Sequence, residues 1–141
     1  MSDAPTLSPP RSRSLKVLIA DDHVDAAETL AMVMSLEGHG VAVARNGDEA
    51  LVLAGQIQPD VVILDIGMPG VDGHTVAQRL RQTTWGASSL VVAISGFGEE
   101  SDKQRARGSG FDVHFTKPVA PSQLLARIAA WHRSGTRPAH D

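Results

Sequence analysis

Five polar side chains stand where apolar runs end, and together they could carry phosphoryl chemistry. Asp65 follows Val61-Val62-Ile63-Leu64 and opens a turn that runs to Gly73. Asp21 and Asp22 follow the apolar run Leu15 to Ala20, Ser95 follows Leu90 to Ile94, and Lys117 follows Val113 to Thr116. A lone acid at the end of an apolar strand is ordinarily structural. Three acids, a hydroxyl and an ammonium delivered by four separate strands make a site, because ligands of an open parallel sheet gather outside the carboxyl ends of its strands.

Convergence of three carboxylates has an electrostatic cost. At about 4 Å each pair repels by roughly 4 kcal/mol at an effective dielectric near 20. A positive charge must offset this, and an all-oxygen donor set of such density suits a hard divalent ion, Mg²⁺, which keeps waters and accepts a phosphate oxygen. A carboxylate beside that ion can attack phosphorus, since the ion aligns the donor and neutralises charge on the equatorial oxygens. Asp65 is the candidate nucleophile. Its product, an aspartyl phosphate, would keep three acceptor oxygens, for which Lys117 and Ser95 are suitable partners. Lys117 precedes Pro118, so a cis peptide there could aim the lysine inward, and the sequence leaves the isomer open. His23 and His39 lack partners at metal-ligand spacing, and His132 and His140 lie at or beyond the end of the last helical pattern, so all four read as surface histidines.

The elements that position these groups follow from the alternation of short β-rich runs with helical spacing, the mark of βα units around a parallel sheet. Strands are expected at Lys16 to Ala20, Val41 to Ala44, Val61 to Leu64, Leu90 to Ile94 and Val113 to Thr116. The first, third and fourth are nearly unbroken apolar runs, as central strands covered on both faces must be. Helical stripes are carried by Ala27, Leu30 and Met34, by Ala50, Ala54 and Ile57, by Val76 and Leu80, and by Leu124, Ile128 and Trp131. Gly38 and Gly40 punctuate the end of the first helix, and Asp48 and Glu49 complement the positive end of the second. A fourth helical stretch, Glu99 to Arg107, has Ala106 as its only apolar residue. It is expected either to be weakly held and movable or to be a plain solvated helix.

Size and composition bound the rest. With 141 residues and 42% hydrophobic content the chain suits one domain with a real core. Residues 1–14, rich in Ser and Pro, read as a disordered leader or linker, 15–133 as the folded unit and 134–141 as a flexible tail. A net charge of −3 without a basic block gives direct nucleic-acid binding little support. The absence of cysteine excludes disulfides and thiol chemistry and is compatible with a reducing cytoplasm, the expected location. No apolar stretch reaches the roughly 18 residues of a spanning helix, so no membrane insertion is expected.

Taken in order, Asp21-Asp22, the Asp65-to-Gly73 turn with Met68-Pro69 and Asp72-Gly73, Ser95-Gly96 and Lys117-Pro118 resemble the receiver domain of two-component response regulators. The resemblance covers all but the two tails. It implies a flavodoxin-like (βα)5 three-layer α/β sandwich with a parallel sheet of order 2-1-3-4-5. It also implies a Mg²⁺ site from Asp21, Asp22, Asp65 and the backbone carbonyl of Gly67. Asp65 would then take a phosphoryl group from a sensor histidine kinase or a histidine phosphotransfer protein, Ser95 and Lys117 would sense the phosphate, and the fourth helix, fifth strand and fifth helix would present the response to a downstream protein. Such a protein is no enzyme beyond its own phosphorylation and dephosphorylation. The run Ile94-Ser95-Gly96-Phe97-Gly98, with Gly110-Phe111-Asp112, further resembles receivers of hybrid sensor kinases. With Met1 at its start and no output domain after Arg133, the chain is expected to be a stand-alone relay or a fragment of a larger sensor.

Two positions depart from the commoner receiver pattern. His114 stands three residues before the lysine, where such receivers usually carry a Tyr or Phe that swings inward. It is either an ordinary half-exposed strand histidine or a residue that retunes coupling between Ser95 and the outer face. Gly67 stands two residues past the acceptor, where a side chain could otherwise shield or position water, so an altered dephosphorylation rate of unfixed sign is expected. Among alternatives, Asp-nucleophile phosphohydrolases place a second Asp where this chain has Gly67. A flavodoxin-type module needs a phosphate-cradling turn where Asp21-Asp22-His23 would repel phosphate. A degenerate receiver serving only as a docking module would lack the acidic pair, acceptor, hydroxyl or lysine, all of which are present here.

Overall fold

A computed structural model describes residues 14–68, 70–96 and 110–134. Five strands, β1 (Lys16–Ala20), β2 (Gly40–Ala44), β3 (Val61–Asp65), β4 (Leu90–Ser95) and β5 (Val113–Thr116), form one parallel sheet of order β2-β1-β3-β4-β5. Four helices are described: α1 (Val24–Leu36), α2 (Gly47–Ile57), α3 (Gly73–Arg81) and α4 (Pro121–Ser134). The flavodoxin-like α/β architecture and its strand order are those expected. The stretch Glu99 to Arg107 lies outside the described residues.

Strand periodicity divides the core in two, because successive side chains point to opposite faces. On one face Leu18, Val62, Leu64, Val91 and Ala93 pack with Ala50 and Ala54 of α2 and Val76, Ala77 and Leu80 of α3. On the other, Val17, Ile19, Ile63, Val92 and Ile94 pack with Ala27, Leu30 and Met34 of α1 and Leu124 and Ile128 of α4. The result is three layers. Each large side chain so buried contributes about 1.5–3 kcal/mol, which is why β3 and β4, buried at every residue, sit centrally. Ile57 and Trp131, at the ends of their stripes, are only half-buried.

Local chemistry fixes the helix ends around the functional edge. The Asn46 side chain accepts from the Glu49 amide, and the Glu49 carboxylate reaches back to the Arg45 amide, closing the first turn of α2. Asp72 accepts from the Thr75 amide and starts α3 directly after the turn that leaves β3. Gly38 ends α1 with φ +94°, a left-handed conformation that favours glycine, whereas Gly40 opens β2 instead of belonging to the helix terminus. Gly73 is required by close approach, since a Cβ there would lie 2.9 Å from the Asp65 carbonyl oxygen.

A buried ion pair locks the opposite end of the sheet. The Arg81 guanidinium donates to the carbonyls of Gly110, Gly86 and Ser89 at 2.8 Å each and to Asp112 at 2.6 Å. The same Asp112 oxygen accepts from the Val91 amide at 2.9 Å. One side chain thereby ties α3, the loop before β4 and the entry to β5 together.

Candidate functional site

The edge where β1, β3 and β5 end brings the acids and the lysine together. Asp65, 4% exposed at the end of β3, accepts from the Gly67 amide on Oδ1 at 3.0 Å and from Lys117 Nζ on Oδ2 at 3.1 Å. Asp21, also 4% exposed, accepts from the His23 amide at 2.9 Å, and its other oxygen is 3.6 Å from Lys117 Nζ. Asp22 is the more exposed member of the pair. Lys117 is fixed by its own backbone, whose amide donates to the Ser95 carbonyl at 2.8 Å, and the Lys117-Pro118 peptide is cis.

The charges divide between the two buried carboxyls in a definite way. Burial raises the Asp21 carboxyl above its ordinary value; the His23 amide opposes this, and the neighbouring Asp65 raises it further. Burial also raises Asp65, but the Gly67 amide, the Lys117 ammonium and the bond shared with Asp21 outweigh it and leave Asp65 below its ordinary value. The two neighbouring carboxyls are thus shifted in opposite directions, Asp21 upward and Asp65 downward.

Ser95 is buried at the end of β4, one residue past the partner of Asp65 in the ladder. Its hydroxyl lies 2.8 Å from Nε2 of His114, a half-buried residue on β5. Gly67 is exposed, and a Cβ built on it would meet only Asp65 Oδ1, at 3.7 Å.

His23 is exposed, as expected of a surface histidine, yet it stands among the acids. Although its side chain is 65% exposed, Nδ1 lies 3.0 Å from Asp21, 3.4 Å from Asp22, 3.7 Å from Asp65 and 3.1 Å from Lys117 Nζ. Ligand atoms of Asp21, Asp22, His23 and Asp65 all fall within 4.8 Å of one another. Spacing along the chain hides this, because Lys117 is 94 residues away. The available signal was adjacency, since a residue following the acidic pair cannot lie far from the strand edge. His39 does remain apart from the acids, accepting from the Leu15 amide at 3.2 Å. Beside the acids a cleft of about 840 Å³ opens between the start of α1 and the turn into α4, lined among others by His23, Val24, Lys117 and Pro118.

The family model for the response regulator receiver domain matches residues 17–129. The chain is 35% identical over 122 residues to the DNA-binding dual master transcriptional regulator RpaA of Synechocystis, covering 86% of this chain and 51% of that protein. It is 34% identical to an uncharacterized 14.6 kDa protein of Leptolyngbya boryana, covering 81% of this chain and 87% of that one. The chain spans about half the length of RpaA. Among solved structures, a putative response regulator from Chloroflexus aurantiacus superposes with a TM-score of 0.80 at 30% identity, over 86% of this chain and 99% of that one. The receiver domain of the Francisella response regulator 1452 gives 0.77 at 28% identity, over 87% and 100%.

Proposed function

Since the chain belongs to the response regulator receiver family, we propose that Asp65 is its phosphoacceptor and that Asp21, Asp22, Asp65 and the Gly67 carbonyl hold the Mg²⁺ that such transfer requires. The single observation that carries this reading is the cluster itself: buried Asp65, held between the Gly67 amide and Lys117, with Asp21 and Asp22 beside it. The donors fit the ion, because three carboxylates supply hard oxygen ligands and excess negative charge. Bound there, Mg²⁺ would neutralise charge on the phosphoryl oxygens.

The chain's own residues do the rest. The Gly67 amide fixes one Asp65 oxygen and the Lys117 ammonium steers the other. Asp65 attacks the phosphorus of a phosphohistidine on a sensor kinase or phosphotransfer protein. The new O–P bond forms as the P–N bond breaks, and its electron pair leaves with the imidazole nitrogen. Lys117 then pairs with one phosphate oxygen, and the Ser95 hydroxyl donates to another. A downstream protein reads the altered face. Residues 15–133 form the unit that performs this, and it turns over no other substrate. DNA binding named for RpaA belongs to that protein; this chain's net charge of −3 and lack of a basic block support a protein partner instead.

Incubation with acetyl phosphate tests the reading. The expected result is a base-labile acyl phosphate formed with Mg²⁺ and abolished by EDTA, with no sustained release of alcohol from small phosphoesters. Multiple turnover of such esters would favour the phosphohydrolase alternative.

A further inference from the structure

We infer that His23 is an additional ligand of the cation site, so that this receiver takes a borderline transition ion such as Co²⁺ in preference to Mg²⁺; the inference rests on the proposed metal role of Asp21, Asp22 and Asp65. Donors about 2.1 Å from one octahedral centre are about 3.0 Å apart when adjacent and about 4.2 Å apart when opposite. His23 Nδ1 lies 3.0, 3.4 and 3.7 Å from the three acids, the first at the adjacent spacing and the other two between the adjacent and opposite spacings. No large rearrangement of the ring is needed.

The cation-seeking character of this nitrogen is visible in what faces it. Lys117 Nζ sits 3.1 Å from His23 Nδ1, 3.1 Å from Asp65 and 3.6 Å from Asp21, an ammonium held by the same donors that a divalent ion would use. The backbone helps to place the ring, because the His23 amide is bonded to the same Asp21 oxygen that lies nearest to Nδ1. Exposure of the remaining ring lets the imidazole adjust without disturbing the core.

Selectivity follows from donor softness. Mg²⁺ prefers oxygen and gains little from an imidazole, whereas affinity for nitrogen donors rises from Mn²⁺ through Co²⁺. A site of three carboxylates alone discriminates weakly; one with an added imidazole favours the transition ion.

The test is titration of the full chain with Co²⁺ and with Mg²⁺ by calorimetry, counting only the Co²⁺ site that Mg²⁺ displaces, with the Co²⁺ visible absorption recorded in parallel. In His23→Ala and His23→Asn, Co²⁺ affinity is expected to fall at least about tenfold while Mg²⁺ affinity stays within about twofold, and the absorption band should shift as nitrogen leaves the coordination sphere. Retained Mg²⁺ binding also reports that the variants are folded. An unchanged Co²⁺ to Mg²⁺ ratio and an unchanged spectrum would overturn the inference while leaving the receiver site standing. Failure of wild type to bind either ion, or indifference of Mg²⁺ binding to Asp22→Asn, would instead overturn the underlying metal site.

Discussion

The Ser95 hydroxyl and His114 Nε2 lie 2.8 Å apart, joining the end of β4 to β5. Where the Ser95 hydroxyl is the donor in this bond, it must leave His114 to donate to the phosphate, so the two acceptors compete for it. The bond's net value, about 0.5–1.5 kcal/mol, corresponds to roughly two- to tenfold in an equilibrium. His114→Phe should therefore tighten binding of the acyl-phosphate mimic beryllium fluoride by that factor. Unchanged affinity in the variant would show that the two residues are not coupled.

Gly67 leaves one side of Asp65 open. A Cβ there meets only Asp65 Oδ1, at ordinary contact distance. An apolar side chain should exclude the water that hydrolyses the acyl phosphate. Gly67→Met is expected to lengthen the phosphate half-life at least about threefold by excluding water, measured by loss of label after the donor is removed. A half-life equal to wild type would remove any role for this position in dephosphorylation.

The ion pair between Arg81 and Asp112 should dominate stability at the far end of the sheet. Removing one partner leaves the other's charge buried, a loss of about 3–5 kcal/mol. Asp112→Ala and Arg81→Met are each predicted to lower urea-unfolding stability on that scale. The double replacement Arg81→Met with Asp112→Ala should cost less than the sum of the single changes, because no uncompensated charge remains. Additive losses would show that the pair does not act as a unit.

His39 gives the fold a pH dependence of definite sign. Burial holds its imidazole below the ordinary value of 6.5, with Glu37 partly opposing and His132 reinforcing the shift. The unfolded chain thus takes up the proton first. Stability contributed by neutral His39 is complete above the unfolded value and declines as pH falls through it toward the lower folded value. Protonation also ends the ring's ability to accept from the Leu15 amide. His39→Gln is expected to flatten the decline in thermal stability between about pH 7 and pH 5; an identical slope would assign that decline to other groups.

The sheet was legible because β1, β3 and β4 are nearly unbroken apolar runs, and burial on both faces leaves no other use for them. Asp65, Asp21, Asp22 and Lys117 were legible for a related reason, since a polar residue ending such a run must lie at the edge. Arg81 and Asp112 were not. A basic residue in the last turn of α3 already complements the helix dipole, and nothing in the spacing of 31 residues announces a partner. His23 escaped because ligand spacing within the chain was the criterion, while its neighbours Asp65 and Lys117 arrive through the topology. The bond from His114 to Ser95 depends on the β4 to β5 register, which pairs Ala93 with His114 and Ser95 with Thr116 and is not encoded in either run alone.

The most direct measurement of the central claim is intact mass after incubation with acetyl phosphate and Mg²⁺, wild type beside Asp65→Asn. One added phosphoryl group in wild type and none in the variant is the predicted result. Equal phosphorylation of the two, or none in either at a Mg²⁺ concentration that saturates the site, would contradict the assignment of Asp65 as the acceptor.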